Sequence, residues 1–363
     1  MSMSELATAM PTSGGIYVYT DRTFGPFLGT LVGFGLWLSL LLKCAFALVG
    51  FGQYLSPFTS FSPTSGCLIL LGFITLLNIR GVGKITGALA YIVYACLIMI
   101  FFIGSSSYND TDFSRLTPFI THGPQGFLIS ISLAVGSFAG LTKLVAIAEE
   151  VKDPEINMSK GVLYSLFFVA FLYILSSVLL TISLPAHSIS GNFKPFYTLA
   201  RQTMGDWGGW TMAGVALMTL ASMANAGVLA ASRFPFAMSR DQLMPNVLGK
   251  IGKITLTPYM SIIFSAVLIG LIIVLFDVVK IAKLASVFII MMFILVNFIV
   301  IILRENNVQW YKPGYRSPLY PYQHILSSLV GIFLLYSMGK LTCLIYGPYS
   351  WNPSVFFLRK KEN

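Results

Sequence analysis

Charge is what this chain has least of. Only 10% of its 363 residues are Asp, Glu, Lys or Arg, while 56% are hydrophobic; soluble domains carry roughly 25% charged residues. A water-soluble globule of this length would need far more polar surface than 13 acids and 23 bases provide. Cysteine is limited to Cys44, Cys67, Cys96 and Cys343, with no C-x-x-C and no metal-like spacing, so these read as small apolar residues. The three histidines, His122, His187 and His324, are far apart, with His122 and His187 expected on the surface, and there is no H-E-x-x-H, G-x-S-x-G or P-loop. A membrane-embedded enzyme would need a paired acid and base or a metal cluster, which the apolar runs do not supply. No enzymatic activity, cofactor or metal is expected. The net charge of +10 comes from bases spread singly between apolar runs, not from a basic stripe, so nucleic acid is not an expected partner.

What is present is a series of long apolar runs. Nine are long enough to be read as helical spans, at 27–50, 63–79, 85–104, 126–148, 161–184, 207–231, 256–276, 284–303 and 320–340; a bilayer-spanning helix needs about 20 mostly apolar residues. A tenth run at 341–358 is interrupted by Gly347, Pro348 and Pro353 and counts as a weak last span. Continuous apolarity excludes a barrel, whose strands alternate. One set of connecting loops holds twelve lysines and arginines, from Arg22 to Arg316, and the other only five, Arg115, Lys194, Arg201, Lys280 and Lys283. The richer side is expected to be cytoplasmic, which puts the N-terminus there too. Residues 1–15 include Glu5 and no apolar core of seven, so no signal peptide is expected.

The lysines and arginines inside these runs are Lys43, Lys143 and Lys340, and there is no acid. Intramembrane charge is costly and marks function by default. Lys340 is placed at a helix end, where it can reach the interface, whereas Lys43 lies in the body of the first run. Lys143 has the most informative neighbours: Gly136, Ser137, Gly140 and Thr142 fall in mid-span. Two readings stay open. A helix broken there would turn main-chain polar groups toward a cavity able to hold a substrate; alternatively, the small residues form a helix-packing stripe. At the expected inner face, Glu149 and Glu150 on one side and Arg233, Arg240 and Asp241 on the other could form a gate. Exposed pairs are weak, about 0–1 kcal/mol, so several would have to act together.

Four stretches carry a family likeness. ELATAMPTSGGIYVYTDRTFG (5–25), SFAGLTKLVAIAEEVKDPEIN (137–157), NAGVLAASRFPFAMSRDQLMP (225–245) and YRSPLYPY (315–322) occur in this order. The chain resembles the amino acid–polyamine–organocation permeases, multi-pass carriers with a five-plus-five inverted-repeat, leucine-transporter-like fold. The four stretches look like, in turn, the end of the family's second helix, its broken sixth helix, its eighth helix with the Arg/Asp loop, and the approach to its eleventh.

The resemblance implies an all-α transporter that moves an amino acid or related amine across the cell membrane by alternating access. Its expected parts are 1–26 (end of family helix two and a cytoplasmic loop), a single transmembrane domain at 27–340, and 341–363 (weak last span and basic tail). The implied substrate site comprises Gly136, Ser137, Phe138, Ala139, Gly140, Leu141 and Thr142, with Ser39, Leu40 and Cys44 as a wall. Lys143, Ser222 and Asn225 become candidates for coupling to a proton or cation. The absence of an intramembrane acid favours a neutral substrate. Two departures stand out. The family's first helix and most of its second are not matched, which leaves a truncated, non-transporting remnant or regulatory protein as the alternative. Thr142 and Lys143 stand where many members have a Glu shortly after F-x-G, and 85–104 lacks the Lys of some proton-coupled members; both departures bear on the coupling mechanism.

Overall fold

The computed structural model describes every residue except 12–14, 61, 82–87, 108–110, 121–122, 139, 141–150, 241, 253–254, 307 and 347–363; for 88–93 and 340–346 it describes the backbone alone. The described residues form an all-α protein whose elements are α1 (Ser2–Ala9), α2 (Ile16–Phe24), α3 (Pro26–Leu55), α4 (Pro63–Ile79), α5 (Ala88–Ser106), α6 (Gly123–Ser137), α7 (Pro154–Ser183), α8 (Pro195–Arg240), α9 (Tyr259–Leu275), α10 (Val278–Glu305) and α11 (Tyr322–Tyr346). The described part of each of the nine apolar runs lies mainly on one helix, in order from α3 to α11, and the run 126–148 outlasts its helix α6.

Four of these helices, α3, α4, α7 and α8, open with proline, whose fixed φ suits the first helical position and whose missing N–H has no helical partner there anyway. At α4 the preceding Ser62 caps the helix, its Oγ accepting from the Ser65 N–H at 3.2 Å. Among the described residues, α3, α7, α8 and α10 are long and apolar enough to cross a membrane. Helix α8 exceeds the predicted run 207–231 because Gly205, at φ 70°, joins a polar helical stretch from Pro195 to the apolar part. Helix α11 continues six residues past Lys340 to Tyr346. Lys340 is therefore not at a helix end, and the first six residues of the supposed tenth run belong to α11.

The bilayer-facing surface is recognisable on α7. Tyr164, Phe167, Phe171 and Ile174 are 72%, 69%, 62% and 65% exposed, and their spacing makes them one helical stripe. In water such a stripe would be a liability; against lipid it is the solvent-matched face. Trp207 and Trp210, exposed beside the Gly205 break, have the character of interfacial anchors.

The chain divides into two compact units. One comprises Pro26–Phe119 and Leu163–Ala285. Its helices approach closely at small residues. A Cβ on Gly52 would stand 2.6 Å from Cys67 Sγ and collide with the Pro63 carbonyl, and one on Gly227 would stand 3.0 Å from Cys44 Cβ. Apolar contacts fill the rest: Ile103, Leu179, Leu199 and Met212 form one cluster, and Trp37 stacks on Phe264 at 5.7 Å.

The other unit comprises Met1–Gly25, Ile120–Val162 and Ser286–Asn363. Here Leu128, Ile131 and Val135, on one face of α6, pack against Ile290 of α10 and Leu334 and Met338 of α11. Polar groups join α1 to the same two helices. Ser2 Oγ donates to Asn297 Oδ1 at 2.6 Å, and Asn297 Nδ2 donates to Ser327 Oγ at 2.8 Å.

Candidate functional site

Helix α6 stops in the middle of its apolar run. Its 15 residues span about 22 Å at 1.5 Å per residue, against a hydrocarbon core of about 30 Å. The termination is local and specific. Phe138 lies in a turn, and its N–H donates to the Val135 carbonyl at 3.2 Å, a three-residue step. Ser137 Oγ donates back to the Ala134 carbonyl at 2.6 Å. These bonds satisfy some of the carbonyls that a helix end leaves without intrahelical partners; the end as a whole carries partial negative charge of about half a unit.

Of the predicted site residues on this stretch, Ser137 and Gly140 are exposed and Phe138 is half-buried. Gly136 serves a packing purpose: a Cβ there would run into Ser286 of α10, 2.7 Å from its Cβ and 3.1 Å from its Cα. Ala139, Leu141, Thr142, Lys143, Glu149 and Glu150 lie outside the described residues. The two readings left open by the glycines thus divide by residue. Gly136 allows close approach, and the helix ends one residue later.

On α3, Ser39 is buried, Leu40 and Lys43 are half-buried, and Cys44 is 1% exposed. The Cys44 thiol donates to the Ala224 carbonyl of α8 at 3.4 Å, beside Gly227. Cys44 therefore fills the seam between α3 and α8. On α8, Ser222 is half-buried, and Asn225 Oδ1 accepts from Asn78 Nδ2 of α4 at 2.8 Å. Asn78 also donates to the Ile74 carbonyl at 3.0 Å, while its Oδ1 is buried with no partner among the described residues.

Of the gate candidates, only Arg233 and Arg240 are among the described residues. Arg233 and Arg240 are exposed, Arg240 lies over the Phe236 ring at 5.9 Å, and neither makes an ion pair among the described residues. Asp241 lies outside the described residues, as do Glu149 and Glu150. An open pocket of about 400 Å³, lined in part by Gln53, Thr64, Ile273, Phe276 and Asp277, contains none of the predicted site residues.

Two polar residues escaped the sequence reading. Asn78 is the lone amide at the end of an apolar run and looks like a helix terminus until its partner Asn225 is known. Glu5 is fully buried and bound to Arg304. It could have been found: the resemblance read the stretch 5–25, which Glu5 opens, as the end of a membrane helix and the loop after it, and an acid in a membrane helix is a functional candidate by default.

Apolar helices with a lipid-facing stripe and no strand among the described residues define an all-α, multi-pass membrane protein. The family model described as amino acid permease matches residues 1–354, and the chain belongs to that family, within the amino acid–polyamine–organocation superfamily. Similar proteins include the branched-chain amino acid permease BcaP of Bacillus subtilis, 25% identical over 94% of this chain and 78% of that protein. The methylthioribose transporter of the same organism is 24% identical, again over 94% and 78%. Its serine/threonine exchanger SteT is 24% identical over 92% and 78%. The chain is a membrane transporter of amino acids or related compounds, not an enzyme.

Proposed function

We propose that this transporter carries a neutral amino acid across the cell membrane by alternating access, with its N-terminus in the cytoplasm. The observation that carries the reading is the end of α6 at Ser137 inside an apolar run. Main-chain groups left without helical partners at membrane depth are tolerated where they face protein or a water-filled cavity. Carbonyls at the end of α6 suit the substrate ammonium, and the main chain from Ser137 to Leu141 would hold the rest of the head group, with Gly136 and Thr142 at the edges. Ser39 and Leu40 would line a wall and Cys44 would brace it. Lys143, Ser222 and Asn225 are the candidates for coupling, and Glu149, Glu150, Arg233, Arg240 and Asp241 for the inner gate.

Two relatives named for branched-chain amino acids and for serine and threonine support a neutral substrate. The relative named for methylthioribose keeps related compounds among those to be assayed. Purified protein in liposomes should take up or exchange labelled leucine, valine, serine or threonine, and arginine and putrescine at least about tenfold less well, as expected without a second anionic contact. Preference for the dibasic compounds would overturn the neutral assignment, and no movement of any of these compounds would overturn amino acid carriage. Replacing Lys143 by Met should change the uptake rate or its pH dependence; unchanged uptake would remove Lys143 from the mechanism.

A further inference from the structure

The most elaborate polar cluster among the described residues lies away from α6, around Glu5. This carboxylate receives five donors. Arg304 Nε and Nη2 reach its two oxygens at 2.7 Å each, and the Tyr311 hydroxyl reaches Oε1 at 2.7 Å. The Ser317 N–H donates to Oε2 at 2.8 Å, and the Ser317 hydroxyl donates to the same oxygen. A carboxylate offers about four lone-pair directions, so this one is saturated and stays charged. Since the Ser317 hydrogen points at Glu5, His324 Nε2, 3.0 Å from Ser317 Oγ, must be the donor of that contact. His324 Nδ1 then has no partner among the described residues.

The donors Tyr311 and Ser317 belong to the connection between α10 and α11, and that connection touches more than Glu5. The Tyr315 N–H donates to Thr8 Oγ1 of α1 at 3.2 Å. Arg22 of α2 lies over the Trp310 ring at 5.9 Å. Gly314 meets the main chain of Glu155, at the start of α7, so closely that an added Cβ would stand 2.5 Å from the Glu155 carbonyl. Arg304 is covered by the Tyr320 ring at 4.5 Å, and the Tyr320 hydroxyl bonds Glu305 at 2.5 Å. Burial and the Glu5 carboxylate push the Tyr311 hydroxyl well above its ordinary pKa; burial and the bond to Glu305 push Tyr320 up to about 12. Both therefore remain donors at any physiological pH.

We propose that residues 308–321 form a strap pinned by Glu5, binding α1, α2, the start of α7 and the end of α10 into one moving body, and that the pin sets how fast the carrier turns over and not how tightly it binds substrate. This rests on the transport reading for its kinetic half alone. The pin is ionic and forked, so it resists bending, and every element it joins lies in the same compact unit. The last clause of the strap, from Ser317 onward, leads directly into α11, so a released pin would loosen both ends of the connection.

The Arg316–Ser317 bond provides a direct assay, because Arg316 is exposed while the Ser317 N–H is clasped by Glu5. In the purified chain in lipid nanodiscs, Glu5→Gln should speed tryptic cleavage after Arg316 by about tenfold or more. Tyr311→Phe and Ser317→Ala, which remove single donors, should speed it by about two- to fivefold. In liposomes, Glu5→Gln should lower maximal exchange about tenfold with half-saturation within about twofold. If Glu5→Gln does not fold, the two milder variants decide. Wild-type cleavage rates in the variants that fold would overturn the strap, and an effect confined to half-saturation would overturn its kinetic role. A wild-type protein that moves no amino acid would overturn the transport reading, and the cleavage rates would still decide the strap.

Discussion

The two compact units differ in the contacts that stand out between their helices. In the unit built on α3, α4, α8 and α9, contact is made by absence: Gly52 and Gly227 withdraw their side chains so that Cys67, Pro63 and Cys44 can approach. In the unit containing α1, α6 and α11, contact is made by polar saturation, with Glu5 binding Arg304, Tyr311 and Ser317, and Asn297 joining Ser2 to Ser327. Lipid tails are as apolar as leucine, so burial of apolar surface gives little reason for helices to associate in a bilayer. Close packing and hydrogen bonding remain, and both units use both: Gly136 meets Ser286 in one, and Asn225 meets Asn78 in the other.

That contrast can be broken at either end. The largest loss of stability is expected for Glu5→Gln, which leaves a mostly buried guanidinium without its anion; about 3 kcal/mol, the lower end for a broken buried pair, is reasonable because Arg304 keeps 17% side-chain exposure. It should appear as a clear drop in thermal midpoint of the solubilised protein, and an unchanged midpoint would show the pair to be dispensable. Next comes Gly52→Ala, whose Cβ would strike the Pro63 carbonyl, a backbone atom that cannot rotate away, at about 1–3 kcal/mol. Gly72 sharpens this prediction, because a Cβ there meets nothing within 4 Å. Gly72→Ala should be neutral or raise the midpoint slightly through helix propensity, by up to about 1 kcal/mol. Equal effects at both glycines would mean that close approach is not what Gly52 supplies. Asn225→Ala should fall between these, at about 0.6 kcal/mol as for an average intramembrane hydrogen bond, since Asn78 keeps its bond to Ile74; a midpoint loss as large as that of Glu5→Gln would contradict it.

Much of the helix order was legible in the sequence, because the bilayer forces long apolar runs and proline marks the starts of α3, α4, α7 and α8. The extent of α8 was not, since Pro195–Met204 is helical without being apolar and joins its apolar partner through a left-handed glycine. The interruption at Ser137 was visible as a cluster of glycines and hydroxyls, although composition could not separate Gly136, which packs on Ser286, from the residues where the helix stops. The Glu5 knot was hidden for a different reason. Its members are spread from residue 5 to residue 324, and Glu5 precedes the first run long enough to be counted as a span. Nor does a thiol in a membrane helix announce whether it faces a cavity or, like Cys44, a glycine on the neighbouring helix.

The claim on which the transport reading depends is that substrate binds where α6 ends. Its most direct test places a cysteine at the exposed position Ser137 and follows alkylation of the Ser137→Cys protein in liposomes by a permeant maleimide, with and without saturating neutral amino acid. Occupancy of the site should slow labelling about tenfold, the protection expected when ligand is present at roughly ten times its dissociation constant. Identical labelling rates under conditions where uptake is saturated would place the substrate elsewhere.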